Sequence, residues 1–455
     1  MNRLIYIAAF LLPLDNFPFM FGGGYKPVSL IFIALYLMMN LFSVFKAKYK
    51  TSEIYVLLVM ITFVLVTFFQ NRYYQYENTG LIDACLTIAS GTVIYLSFKI
   101  FVARHEDPGA YIKLFKCMVY GYGIAVGIGL LQLIYIYVLH IGIIAKFVGL
   151  FVSRTGFIST ARVHFTFSEP SYIALHTNLL LIPAFIALKR ANQLNWIINS
   201  IVIGLFIVSL FSFSLRYYMD SIILLLVFLF LYTKRIVKLS VITTFSLASL
   251  YCVLYLVFVI NVFSINADHF GRIGSFLKNP AAINQDESFS IRSTFSKVAM
   301  DSFKEKPILG YGLGNFYYGY KENYSEIVDL SSIKQKELRD ADKDKTLHQY
   351  NMYTRVLSEM GLMGILLVVP LLYFVFHQPK RSYLKMVLIL LAWSQLQFDS
   401  FALIQIYFWL ALMQHPFIAS LELREAVQSQ TSPVQTQVQR PLKSPVIAET
   451  TLHYR

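Results

Sequence analysis

Apolar runs long enough to cross a lipid bilayer recur along this chain, divided by short polar breaks. In hydrocarbon every backbone N–H and C=O must pair within the protein, so these runs are read as helices. They are continuous rather than alternating, which excludes a transmembrane β-barrel. Composition agrees: of 455 residues 57% are hydrophobic and only 14% charged, and the mean hydropathy is +0.58. A soluble domain carries roughly a quarter charged residues, so this chain is short of groups that face water. The expected fold is an all-α polytopic membrane protein.

About a dozen spans are expected. They lie near Leu4 to Leu14, Pro27 to Phe45, Ile54 to Phe69, Leu81 to Val102, Leu114 to Leu139 and Tyr172 to Leu188. The rest lie near Trp196 to Phe213, Tyr217 to Tyr232, Val241 to Phe263, Tyr350 to Phe376, Tyr383 to Leu396 and Phe401 to Gln414. Pro13 and Asp15 end the first run and no small-residue cleavage site follows, so it reads as an uncleaved helix. With the amino terminus inside, the inner loops hold Lys46, Lys48, Lys50, Arg104, Lys189 and Arg190 among others. The outer short segments hold Lys26, Arg72, Lys146, Arg154, Arg162 and Arg216, a bias of about two to one. Both termini are then cytoplasmic.

Residues 1–263 read as a transmembrane bundle of about nine helices with an outer segment at 140–171. Residues 264–349 form a large, partly helical extracytoplasmic loop, and 350–416 the last three transmembrane helices. Residues 417–455 are a polar, disordered cytoplasmic tail. Within the large loop, Ile291, Phe295, Val298 or Ala299, and Phe303 recur at helical spacing, predicting an amphipathic helix on the membrane or capping the bundle. Pro307 stops it, Gly310, Gly312 and Gly314 follow in a tight turn, and a second polar helix is expected over Glu326 to Leu338.

The net charge of +14 implies contact with anionic lipid headgroups and needs no nucleic acid. Cys85, Cys117 and Cys252 fall inside apolar runs and give neither a disulfide framework nor metal-site spacing. No carboxylate cluster with ligand spacing stands in the outer loops, so no metal and no cofactor is expected.

The polar residues of interest gather on the expected outer side. Arg162, His164 and Glu169 lie in RVHFTFSEPS, Arg216 in FSFSLRYYMD, Arg272 and Arg292 in the large loop, and His348 where that loop re-enters the membrane. Singly, each has a bland reading. A juxtamembrane Arg anchors headgroups, a lone His caps a helix, and Arg216 with Asp220, like Arg355 with Glu359, has the spacing of a helix-surface ion pair. Together they suit a phosphate or pyrophosphate held by guanidinium groups, with a carboxylate or histidine to activate a hydroxyl. Ionisable groups at membrane depth are costly, which also points to a site. The turn GYGLGNF is neither a dinucleotide fingerprint, since its third spacing is wrong, nor a P-loop, since no Lys-Ser or Lys-Thr follows.

Four segments carry a family resemblance: FTFSEPSYIALH, the SLR before a span, RSTFSKVAMDSFKEKPILGYGLGNF, and HQYNMYTRVLSEMGLMG. In these, in their order and in the large loop before the last three spans, the chain resembles the bacterial O-antigen polymerase and ligase superfamily. The SEPS run adds weight toward the polymerase branch. The resemblance implies an integral-membrane glycosyltransferase bundle in the bacterial inner membrane, metal-independent and inverting, with its site on the periplasmic or extracellular face. Its donor would be a polyprenyl-pyrophosphate-linked oligosaccharide, and its working partners a chain-length regulator and a flippase. It implies that Arg216 and Arg292 hold the pyrophosphate, and Arg162 is a further candidate beside them. The family's His-Asn pair is replaced here by Tyr350-Asn351 with His348 two residues upstream, so His348 and Glu169 are rival bases. On a helix His348 and Asn351 would share a face. Gly310, Gly312 and Gly314 are expected in support. A ligase passing finished glycan to another acceptor, and a non-enzymatic flippase for lipid-linked oligosaccharide, are the alternatives. A flippase would need polar groups along a central path, for which Asp83, Gln395 and Gln397 are the candidates.

Overall fold

A computed structural model describes residues 2–18, 27–153, 156–232, 287–327, 347–379 and 382–421, with scattered positions between 240 and 279. The expected span at Val241 to Phe263 lies largely outside the described residues. Arg272, Cys252, the part of the second polar helix beyond Ile327 and the tail from 422 lie wholly outside them. Among the described residues the chain is helical, with no β-strand.

Among the described residues five helices are long and apolar enough to cross a membrane: Thr51–Tyr74 (α3), Thr79–Arg104 (α4), Pro108–Leu139 (α5), Tyr172–Arg190 (α6) and Met352–His377 (α11). The other expected spans in the described residues are shorter. They are Arg3–Leu11 (α1), Ser29–Met39 (α2), Trp196–Ser212 (α7), Leu215–Tyr232 (α8), Tyr383–Ser394 (α12) and Ile404–Leu412 (α13). A run of about 20 residues is needed to cross the hydrocarbon core. The chain is a membrane protein, and the run from Pro27 is shorter than expected because α2 breaks at Asn40. There Asn40 Nδ2 donates to the Tyr36 carbonyl at 2.7 Å, and a six-residue helix, Leu41–Lys46, follows.

The main core gathers on α5. Its face of Tyr111, Leu114, Phe115, Met118, Tyr122 and Ala125 is fully buried, and α1, α6 and α7 pack against it. On α4, α2 and α13 pack, with Phe98 meeting Phe408 edge-on at 4.9 Å.

Helix α6 shows how one residue type shapes a span. Pro183 has no N–H to offer the Leu179 carbonyl and its ring crowds that group, so the helix widens into a π turn over Thr177–Leu181. The freed Leu179 carbonyl accepts from Trp409 Nε1 at 2.5 Å, and the Pro183 carbonyl accepts from the Tyr383 hydroxyl at 2.8 Å. The break thus ties α6 to α13 and α12, which fixes the helix that leads from Glu169 and Tyr172.

The amphipathic helix of the large loop forms as Glu287–Glu305 (α9), with Ile291, Phe295, Val298 and Ala299 buried. It packs against Phe316–Ile327 (α10) and the first turns of α11 rather than lying alone. Helix α10 begins directly after the glycine turn, ten residues before the position expected for a second helix. The turn itself is a joint. Tyr311 N and Gly312 N donate to the Ser358 and Glu359 carbonyls at 2.9 Å each, satisfying groups left open where the first part of α11 ends. Leu313 N donates to Thr67 Oγ1 at 2.8 Å. Gly314 has a φ of +77°, and a Cβ there would stand 2.1 Å from the Gly80 carbonyl oxygen. No other residue fits that approach.

Candidate active site

Four separate segments meet around the turn that joins α12 to α13. Arg216, in the first turn of α8, is buried and lies over the Phe398 ring, with Cζ 3.6 Å from its centroid. Its Nη1 donates to the Gln397 carbonyl at 3.4 Å, and its Nε stands 3.6 Å from Asp220 Oδ2, an ion pair too long for a hydrogen bond. Among the described residues, Nε and Nη2 find no acceptor although both are buried. An uncompensated buried guanidinium edge is costly. Such an edge is where a carboxylate or phosphate binds in bidentate fashion.

Arg355 seats on the same turn. Its Nη1 donates to the Asp399 carbonyl at 2.6 Å and lies 3.9 Å from Asp399 Oδ2, while Nε lies 3.2 Å from Glu359. Glu359 also accepts from Gly314 N at 2.7 Å, so the glycine turn, Glu359 and Arg355 form one chain of contacts. The amides that could have faced a phosphate are spent on α11 and α3. The two ion pairs expected on helix surfaces form, but both are buried.

Arg292 on α9 stacks near Tyr350, with Cζ 5.3 Å from the ring centroid. His348 Nε2 lies 3.3 Å from Asp83 Oδ2 on α4 and remains exposed. Its charge, like that of Arg355, acts on Asp399. Burial pushes the Asp399 carboxyl above its ordinary 3.8, and Arg355 and His348 pull it part of the way back. Tyr172, packed edge-on against Phe398 at 5.1 Å, feels the charges of Asp15, Glu169, Arg216 and Asp399.

Other expected residues sit differently. Glu169 is exposed and accepts from Ser171 Oγ at 3.2 Å. Arg162 donates to the Ser212 carbonyl at 2.8 Å and the Phe213 carbonyl at 3.3 Å, capping the end of α7 where Phe213 turns left-handed. It thereby shapes the turn just before Arg216. Asn351 does not share a helix face with His348. Helix α11 starts at Met352, Asn351 is its N-cap, accepting from Tyr353 N at 2.9 Å, and His348 precedes it in non-helical chain. The Asn side chain competes for the first amides, and this ends the helix there.

Nothing in the local pattern singles out Asp399, or a buried line that runs through His176 of α6. Tyr122 Oη lies 2.9 Å from His176 Nδ1, and His176 Nε2 3.1 Å from Asp15 Oδ2. Its one available signal was a histidine inside an apolar run, ALHTNLLL.

Residues 201–369 match the family model described as O-antigen ligase. The match supports the resemblance to O-antigen polymerases and ligases, a family of glycosyltransferase-like enzymes. No curated protein matches the chain. Within the O-antigen ligase segment fall Arg216, Asp220, Arg292, His348, Arg355, Glu359 and the glycine turn; Arg162, Glu169 and Asp399 fall outside it.

Proposed function

We propose that this chain is a polysaccharide polymerase, transferring a growing glycan from polyprenyl pyrophosphate to a sugar hydroxyl of another lipid-linked repeat unit. The observation that carries the reading is the buried Arg216 edge, whose Nε and Nη2 find no acceptor among the described residues. A guanidinium edge with two open N–H groups suits a pair of phosphate oxygens, and Arg292 is proposed as the second cation that a diphosphate needs.

The acceptor hydroxyl attacks the anomeric carbon from the face opposite the leaving group, and the bond from that carbon to the pyrophosphate oxygen breaks, so configuration inverts. Charge grows on the departing pyrophosphate, where Arg216 and Arg292 stabilise it. The hydroxyl proton passes to His348, whose ring Asp83 orients at 3.3 Å. Glu169 is the rival base. Arg162 supports the turn that presents Arg216, and the arginines serve as the electrophile without a metal ion. The site faces the periplasm or cell exterior in a bacterial inner membrane, both termini are cytoplasmic, and a flippase supplies substrate. A chain-length regulator sets how far the product grows.

The family match favours a second reading, an O-antigen or protein glycan ligase, which uses the same donor chemistry with another acceptor. Deleting the gene separates the two. A polymerase mutant leaves one repeat unit on the final carrier; a ligase mutant leaves long polymer stranded on its lipid. Normal surface glycan after deletion rejects both.

A further inference from the structure

We infer that Asp220, tied by the indole of Trp393 and the amide of Gln397, is a positioning residue that keeps the binding edge of Arg216 open. The inference rests on the pyrophosphate role of Arg216 proposed above.

Asp220 lies one turn along α8 from Arg216, the spacing at which an acid and a guanidinium normally close a direct, hydrogen-bonded pair. Here they stop at 3.6 Å. The reason lies on the other carboxylate oxygen. Asp220 Oδ1 accepts from Trp393 Nε1 at 2.7 Å and from Gln397 Nε2 at 2.8 Å. Both donors come from the α12 side, and together they draw the carboxylate away from the arginine. The backbone is pinned as well, because the Asp220 carbonyl accepts from Asn178 Nδ2 at 2.9 Å, next to the π turn of α6. Gln397 acts twice: its side chain holds Asp220, and its carbonyl takes Arg216 Nη1.

The consequence is a counter-ion held at a set distance. Asp220 is near enough to offset part of the cost of a buried guanidinium, yet too far to occupy the Nε and Nη2 hydrogens that a pyrophosphate oxygen pair would take. Loosening the tie lets Asp220 swing onto that edge and compete with substrate. Trp393→Phe removes the indole N–H together with the fused five-membered ring while keeping an aromatic ring, so it should weaken pyrophosphate binding about tenfold, the worth of a hydrogen bond to a charged group. Gln397→Leu removes the other tie and should act the same way. Asp220→Asn carries no charge with which to compete, so adding it to Trp393→Phe should restore binding. A merely structural part for Trp393 predicts no such rescue.

The test titrates inorganic pyrophosphate into the purified full-length wild type, both single variants and the Trp393→Phe/Asp220→Asn double variant. The same proteins are then assayed for glycan elongation. Weakened binding in either single variant that folds, restored in the double variant, with a higher KM and an unchanged kcat, supports the positioning role. Wild-type affinity in the single variants, or no rescue, overturns it. Should the binding pattern hold while the wild type makes no polymer, the positioning role stands and the polymerase reading falls. Should the wild type bind no pyrophosphate, both fall.

Discussion

Arg216 and Arg355 seat their guanidinium groups on one turn between α12 and α13: Arg216 takes the Gln397 carbonyl and the Phe398 ring, and Arg355 takes the Asp399 carbonyl two residues on. The two arginines differ in what they keep free. Arg355 is engaged by Glu359, by Asp399 and, through Cζ at 4.9 Å, by the Phe401 ring, whereas Arg216 has an open edge. We therefore assign a structural part to the first and a binding part to the second.

That difference sets the first prediction. Arg355→Ala leaves Glu359 and the raised Asp399 without their cation, and removing one partner of a buried pair costs about 3–5 kcal/mol. The variant should show a markedly lower melting temperature in detergent. A melting temperature equal to that of the wild type would put Arg355 in the substrate site.

The glycine turn gives the second. Gly314→Ala and Gly80→Ala each place a methyl group against the other's carbonyl, at 2.1 Å and 1.9 Å before relaxation. Both should reduce the yield of folded protein. Their effects should not add, because they break one contact. Normal yield combined with lost pyrophosphate binding in Gly314→Ala would instead make the turn a phosphate loop.

A third concerns pH. Burial raises the Asp399 carboxyl above its ordinary 3.8, so ionising it opposes folding. A raised folded value means that this contribution is fully present below 3.8 and is lost as pH rises through the folded value. Asp399→Asn removes the loss, so it should melt at or above the wild-type temperature at neutral pH. The difference should vanish in acid. A variant less stable at pH 7 than at pH 4, each relative to wild type, would reverse the sign.

His348 and Asp83 supply the fourth. If the histidine is the base and Asp83 orients it, His348→Gln should slow elongation about 10²- to 10⁴-fold. Asp83→Asn should slow it less, and the double variant should be no slower than His348→Gln alone. Additive losses would separate the two residues, and full activity in His348→Gln would turn attention to Glu169.

Much of this was legible in the chain. The apolar runs gave α3 to α6 and α11, the spacing of Ile291, Phe295 and Val298 gave α9, and the four-residue interval gave both ion pairs. Local pattern reaches only that far. Trp393 and Gln397 stand 173 and 177 residues from Asp220, and spacing along a helix says nothing of such partners. Nor did an Arg at a span end reveal whether it faced headgroups or a buried turn. The apolar run after Asn351 extends a helical pattern toward His348, but Asn351 caps the helix and leaves His348 ahead of it.

The partners of Asp83, Gln395 and Gln397 also bear on the transporter alternative. Gln397 is spent on Asp220, Asp83 on His348, and the Gln395 amide on Ser394 Oγ at 3.1 Å. Of the three, Gln397 and Asp83 contact residues of the candidate site.

Elongation of lipid-linked repeat units by the purified protein in liposomes, compared across wild type, Arg216→Ala, Arg292→Ala and His348→Ala, tests the central claim most directly. The account predicts a polymer ladder from the wild type and single-unit products from three variants that insert normally. Full-length polymer from Arg216→Ala and Arg292→Ala would contradict it.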